Sequence, residues 1–159
     1  ALHAILSVAR ISADVREGGM EMKDDYLDAH RRHWHDAEHL FQAQRWANAD
    51  HLYGFAAECG LKALIERLEK KPLPKEKKNH IMENDRAKSV WYAYQTYISG
   101  RPSAGKFSLP DKNPFHDWRA SQRYANQSYF DEKRVQVHQS GAAFVRNLII
   151  EARREDDNF

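Results

Sequence analysis

Arginine and histidine side chains stand at spacings that fit chemistry on a phosphodiester. Arg45 precedes His51 by six positions, and Arg123 is followed directly by Tyr124. A histidine that titrates near neutrality can remove the proton of a ribose 2′-hydroxyl, and an arginine fork can stabilise charge on the phosphate. Such groups would cleave RNA without a metal ion. The candidate catalytic residues are Arg123 as cation, Tyr124 in support, His51 or His138 as base, and Arg45 as a second cation.

Each of these residues also has a structural explanation. Residues six apart in one straight helix point about 120° apart, so Arg45 and His51 converge only across a helix break or a dimer axis. His51 also fits a polar residue hydrogen-bonded near a helix start. Arg123 and Tyr124 also fit a pair that anchors the neighbouring Pro-rich loop.

His35 and His39 suggest a different chemistry. The segment HDAEH, residues 35–39, matches an H-x-x-E-H pattern in which two histidines one turn apart bind zinc and the glutamate acts as a base. A third ligand from another helix would make a metal-dependent bundle hydrolase. The helical periodicity places several nearby histidines on different sides of the helix, so we expect no metal or cofactor and keep this hydrolase as an alternative.

Glu58 and Lys62 are one turn apart on an otherwise apolar predicted helix. Such a pair is usually structural. A buried pair would cost desolvation and would serve specificity or a site. Its role therefore depends on its burial.

Composition favours one helical domain. The chain has 159 residues, of which 42% are hydrophobic and 30% charged, with only 7 Gly and 5 Pro, a profile more typical of helices than of a β-sandwich. The net charge of +2 is too small to predict nucleic-acid binding by itself. The single cysteine, Cys59, excludes an intrachain disulfide framework, and no apolar run has the length of a membrane span. We therefore expect a cytoplasmic protein.

Apolar periodicity predicts an all-α protein, an up-down antiparallel four-helix bundle. We expect residues 1–19 to form an N-terminal extension with a short helix over 1–16, and residues 20–159 to form the helical domain. The bundle helices are predicted at about 24–46, 48–70, 81–98 and 131–154. Residues 99–114 are predicted to be a long Pro/Gly loop, followed by a short helical segment over 115–124.

The second predicted helix resembles a known family. The sequence ADHLYGFAAECGLKALI, residues 49–65, is similar to the second long helix of HEPN domains, where small residues, a Glu and a Lys four positions later precede a Leu-rich turn. Here the Glu and Lys are Glu58 and Lys62. His80 after a polar loop fits the same pattern, as does Trp118 before a terminal helix. The resemblance covers about residues 26–152.

This resemblance implies an all-α bundle that forms homodimers. Many HEPN proteins are ribonucleases of defence or toxin–antitoxin systems, and others are non-catalytic partners of small nucleotidyltransferases. The partners it implies are RNA, a second copy of the chain, and a cognate nucleotidyltransferase or antitoxin, with no membrane. A non-catalytic binding module is therefore the main alternative to a ribonuclease.

The chain departs from the catalytic HEPN pattern of Arg, four to six residues, then His near the last helices. Arg123 is in that region, but the residues at the required distance are Ser128, Tyr129 and Phe130. His138 is farther along, and Lys133 stands where its arginine would be. The strict match is Arg45 with His51, before the second helix. This departure favours the non-catalytic alternative.

Overall fold

The regular elements of the protein are helices. A computed structural model describes residues 21–159, and within this range it contains helices and no β-strand. The helix predicted over residues 1–16, and the extension to which it belongs, lie outside the described residues. The all-α fold class is confirmed for the described part of the chain.

The first two long helices, α1 (Tyr26–Gln42) and α2 (Trp46–Glu69), are joined by residues 43–45. The Asp25 carboxylate begins α1 by accepting a hydrogen bond from a first-turn N–H. Gln44 has a left-handed backbone, with φ 57, and reverses the chain. The first helix was predicted to run to about 46, which is wrong because this left-handed residue ends it earlier. Such a short connection makes the two helices antiparallel.

Three further α-helices follow. They are α3 (Val90–Ser99), α4 (Ala104–Phe107) and α5 (Glu132–Glu155). Single 3₁₀ turns lie at Lys75–Lys77, Arg86–Lys88, Ala120–Tyr124 and Gln127–Tyr129. Within residues 21–159, no helix combines the length and the apolar character needed to cross a membrane.

Small residues let other helices approach α2 closely. A Cβ added at Gly60 would lie 2.5 Å from Val145 of α5 and 2.8 Å from the His30 ring of α1. No side chain fits in that space, so the glycine brings both helices against α2. The predicted central position of this helix is confirmed, since thirteen of its residues are buried, among them Ala56, Ala57 and Leu61.

The helix predicted over 81–98 begins later than expected, at Val90. The preceding residues form a loop because their backbone groups bond to side chains. The Glu83 carboxylate accepts a hydrogen bond from the His80 N–H (2.8 Å), and the Ser89 hydroxyl accepts one from the Glu83 N–H (2.8 Å). His80 therefore lies in a loop and does not open the helix.

The segment that covers residues 115–130, here called the site loop, packs on α2 and α5. The Trp118 indole Nε1–H donates to the Asp50 carbonyl of α2 (3.2 Å). A Cβ added at Gly54 would lie 2.2 Å from that indole, and one added at Gly141 of α5 would lie 2.9 Å from the Phe115 ring. The two glycines therefore allow the site loop to lie directly on both helices. Of the short helical segment predicted over 115–124, the structure forms the 3₁₀ turn Ala120–Tyr124, and a second turn follows at Gln127–Tyr129.

Candidate functional site

A buried imidazole joins α2, the site loop and α5. His138 is fully buried, with Nδ1 2.5 Å from the Asp50 carboxylate and Nε2 2.8 Å from the Asp117 carboxylate. Both ring nitrogens therefore face carboxylates, and neither is free to take a proton from a substrate. This geometry assigns His138, one of the two predicted bases, to holding the site loop in place.

Two further side chains complete this group, here called the anchor network (Asp50, Asp117, Gln122, Arg134 and His138). Arg134 Nη1 donates to Asp117 (2.8 Å), and Arg134 Nε lies 3.3 Å from the buried Asp50 carboxylate. The Gln122 amide also donates to Asp50 (2.7 Å). A buried polar network whose members are all paired fixes one arrangement of its elements. The anchor network thus fixes the site loop and the position of Arg123 within it.

The charges within the anchor network stabilise one another. Burial acts to lower the pKa of His138, but its hydrogen bonds to Asp117 and Asp50, with their negative charges, outweigh burial and raise that pKa. The hydrogen bond from His138, aided by the charges of His138 and Arg134, lowers the pKa of Asp117 to about 2. The network therefore favours an imidazolium between two carboxylates.

His51, the other predicted base, lies in a different environment. Its ring stacks on Trp118, with centroids 5.6 Å apart and planes at 13°, and meets the Phe55 ring edge-on at 4.7 Å. Its Nδ1 is buried and has no hydrogen-bond partner among residues 21–159. Protonation would place an N–H on both ring nitrogens and leave this one unpaired. The surroundings of His51 therefore favour the neutral imidazole.

A third histidine, His80, lies against the same aromatic rings. Its ring is 5.8 Å from Phe55 and 6.3 Å from Trp118, and its Nδ1 is 3.3 Å from the Glu58 carboxylate. The other oxygen of Glu58 accepts a hydrogen bond from Lys62 (2.6 Å). Glu58 and Lys62 are buried, at 4% and 5% exposure, so this pair meets the condition under which it would serve a site.

His51 and His80 have pKa values shifted in opposite directions. Burial, followed by the charge of Arg123, lowers the pKa of His51. The hydrogen bond to Glu58 raises the pKa of His80, against the effect of partial burial. Two titratable groups whose surroundings separate their pKa values can serve as a base and an acid.

Arg123 and Tyr124 lie at the end of the 3₁₀ turn in the site loop. The Arg123 guanidinium donates to the Ala120 carbonyl (3.0 Å) and lies 4.7 Å from the centre of the Tyr124 ring. Tyr124 is 79% exposed. The charge of Arg123 contributes to the lowered pKa of His51, so the two side chains lie within electrostatic range of each other. The predicted cation therefore acts electrostatically on one of the two predicted bases.

Arg45 precedes the first turn of α2 and is exposed. It lines a cavity of about 370 Å³ together with Arg123, and this space is here called the arginine cavity. His51 is not among the residues that line it. Arg45 therefore shares a cavity with the other predicted cation, whereas the predicted pairing with His51 does not form within this cavity.

The histidines of α1 point in several directions. His30 is buried with its Nδ1 2.7 Å from the Ala56 carbonyl, and His33 lies half-buried with its ring 5.7 Å from Phe55. His35 and His39 are exposed. In the described range 21–159, no three His, Cys, Asp or Glu side chains are grouped so that they could hold a metal ion.

Sequence reasoning did not identify His80, Asp50 or Asp117 as site residues. Asp50 and His138 are 88 positions apart, and Glu58 and His80 are 22 apart, so no local spacing indicates either pair. The sequence signals at this place were the charged pair Glu58 and Lys62 on an apolar helix and the position of His80 after a polar loop, and neither indicated that Glu58 contacts His80.

Comparison with protein-family models, with curated proteins and with solved structures found no match to this chain. The inference of function therefore rests on the geometry around His51, His80 and Arg123 and on the resemblance of residues 49–65.

Proposed function

We propose that this protein is a metal-independent endoribonuclease with a HEPN-like four-helix bundle, acting as a homodimer. The observation that carries the proposal is that His51 and His80 lie against the same two rings, Phe55 and Trp118, and that the charge of Arg123 reaches His51. A general base, a general acid and a phosphate-stabilising cation are the three groups that RNA transesterification needs.

The proposed reaction uses each group once. The neutral His51 imidazole takes the proton of the 2′-hydroxyl, and the 2′-oxygen forms a bond to phosphorus. Arg123 stabilises the negative charge on the phosphate oxygens while the bond from phosphorus to the 5′-oxygen breaks. His80 gives its proton to that departing oxygen. The products are a 2′,3′-cyclic phosphate and a 5′-hydroxyl.

The electrostatic surroundings fit these roles. The lowered pKa of His51 favours a neutral ring, which can accept a proton, and the raised pKa of His80 favours a charged ring, which can donate one. Glu58, itself buried and bonded to Lys62, holds His80 at the edge of the aromatic rings. The assignment thus needs no metal ion in any step.

The test is incubation of the purified protein with total RNA and with tRNA, with and without EDTA. We expect EDTA-resistant fragments that carry cyclic phosphate ends, and we expect Arg123→Ala and His51→Ala to abolish them while circular dichroism stays unchanged. His35→Ala is the matched control, since this exposed histidine of α1 belongs only to the metal-dependent alternative. Cleavage that EDTA prevents, or that survives in His51→Ala, would exclude the proposed mechanism.

One observation favours a second candidate, the non-catalytic module that pairs with a nucleotidyltransferase or another effector. In HEPN enzymes the catalytic His lies near the last helices, and here His138 of α5 is bound by two carboxylates within the anchor network. This candidate predicts no cleavage of any RNA. It also predicts that co-expression with a nucleotidyltransferase encoded beside it yields a stable complex in gel filtration.

A further inference from the structure

The arginine cavity lies where the turn before α2 faces the site loop. Its lining carries two guanidinium groups and no carboxylate, together with several side-chain amides and two aromatic rings: Gln44, Arg45, Trp46, Ala47, Asn48, Gln122, Arg123, Ala125, Gln127 and Phe130. Two arginines that line other cavities do lie near an acid, Arg67 at 3.9 Å from Glu155 and Arg154 at 3.3 Å from Glu151. The cavity is thus a concentration of positive charge without its own counter-charge.

The two guanidinium groups keep donors free for a ligand. Within residues 21–159, Arg45 forms no salt bridge, and the only hydrogen-bond acceptor of the Arg123 side chain is the Ala120 carbonyl. Each guanidinium carries five N–H donors in a planar fork that matches phosphate oxygens. A dianionic or monoanionic phosphate between them would satisfy these donors and balance the charge.

The remaining lining suits a nucleobase. Asn48 and Gln127 offer both donors and acceptors for base edges, and the partly exposed Trp46 offers a ring surface. Tyr124 and Tyr129, on the same site loop, are 79% and 75% exposed, which is unusual for aromatic side chains of this size. Exposed rings beside a cationic groove are the arrangement on which single-stranded bases stack. A cavity of about 370 Å³ is in the size range of sites for one small organic ligand.

We infer that the arginine cavity binds one nucleotide of single-stranded RNA, with its phosphate between Arg45 and Arg123 and an adjacent base on Tyr124 or Tyr129. The inference deepens the proposed function, on which it rests, since Arg123 lines the cavity and its charge also reaches His51. The strand would pass from the cavity along the surface toward His51 and His80. Arg45 is then a binding residue that sets affinity for the strand, and it takes no part in proton transfer.

The experiment measures binding and cleavage separately. Isothermal titration calorimetry measures the affinity of the intact protein for three probes. They are a short single-stranded RNA blocked against cleavage by 2′-O-methyl groups, adenosine 5′-monophosphate, and inorganic phosphate. We expect the blocked strand to bind most tightly and inorganic phosphate least. Arg45→Gln should lower the affinity for the blocked strand about tenfold, which is the loss expected for one charge-assisted contact to phosphate. Arg153→Gln, which removes one exposed charge near the end of α5, should change its affinity less than about twofold.

The outcomes separate this inference from the proposed function. His51→Ala should bind the blocked strand as the unaltered protein does while it fails to cleave an unblocked one. Strand binding that depends on Arg45, in a protein that cleaves no RNA, would support the cavity and refute the ribonuclease. RNA cleavage with an unchanged KM in Arg45→Gln would refute the cavity and leave the ribonuclease standing. Equal affinity for inorganic phosphate and for the blocked strand would overturn the nucleotide assignment.

Discussion

The anchor network and the surface around His51 and His80 use the same residue types in opposite ways. In the anchor network each nitrogen of His138 meets a carboxylate, and the carboxylates also meet Arg134 or Gln122. At the other surface, a ring nitrogen of His51 has no partner among the described residues. A histidine with both ring nitrogens paired to carboxylates stabilises a fold, whereas the partly buried ring of His51 is not held by such pairs and favours its neutral form.

The largest expected effect is on RNA cleavage, and it distinguishes His51 from His138. His51→Ala should reduce RNA cleavage by about 100- to 10,000-fold, the contribution of a general base. The same change removes the ring contacts with Trp118 and Phe55 but no hydrogen bond of Nδ1, so it should lower the free energy of unfolding by about 1–2 kcal/mol, less than the loss expected for His138→Ala. Cleavage assays and urea unfolding of the same preparation measure both quantities. A large loss of stability with little loss of cleavage would reverse the assignment of the two histidines.

The second effect is on stability. His138→Ala removes the ring between Asp50 and Asp117 and leaves the fully buried Asp50 carboxylate with only part of its pairing. Breaking a buried ion pair in this way should lower the free energy of unfolding by about 3 kcal/mol. Urea unfolding followed by circular dichroism gives the value. A change as small as that of the exposed His39→Ala control would mean that the network contributes little to the fold.

A third and smaller effect tests the link between the two regions. Gly54→Ala places a Cβ 2.2 Å from the Trp118 indole, which then cannot stay against α2. Overpacking of this kind costs about 1–3 kcal/mol, and it should also displace the ring on which His51 stacks. Gly100→Ala is the control, since no atom lies within 4 Å of its added Cβ. Thermal unfolding and tryptophan fluorescence measure the two consequences, and unchanged fluorescence would show that Trp118 has not moved.

The sequence predicted the helices best where the pattern was local. The stripe of small residues in α2 placed this helix within two residues of its observed bounds, Trp46–Glu69, because close packing requires that pattern along one face. The start of α3 was predicted nine residues too early, at 81. The loop before it is held by backbone N–H groups that donate to the side chains of Glu83 and Ser89. Such bonds compete with helix formation and leave no periodic signal.

The candidate site was only partly predictable for a related reason. Arg123, Arg45 and His51 could be chosen by residue type, since few side chains can act on a phosphodiester. Their grouping could not be foreseen, because it depends on the site loop lying against α2 through Gly54 and the anchor network. His80 could not be predicted as a site residue without the knowledge that the buried Glu58, in the middle of α2, contacts it. Long-range contacts of this kind are set by packing and not by spacing along the chain.

The smallest effect is the pH dependence of stability, and it comes from the anchor network. The pKa of His138 is raised above its ordinary value of 6.5, so its stabilising contribution is complete below that pH and is lost as the pH rises through the raised pKa. Asp117 has the opposite sign. Its pKa is lowered from 3.8 to about 2, so its contribution is present above 3.8 and is lost as the pH falls toward 2.

Other histidines also titrate in this range, so the contribution of His138 has to be isolated by difference. Burial lowers the pKa of His30 and of His51, and their folding contributions therefore rise with pH and oppose that of His138. The useful quantity is the free energy of unfolding of the unaltered protein minus that of His138→Gln, measured in urea from about pH 5 to about pH 9. We expect this difference to be largest at the acidic end and to decline above 6.5. A difference that grew with pH would mean that His138 is neutral in the folded protein and that its two carboxylates are held by Arg134 and Gln122 instead.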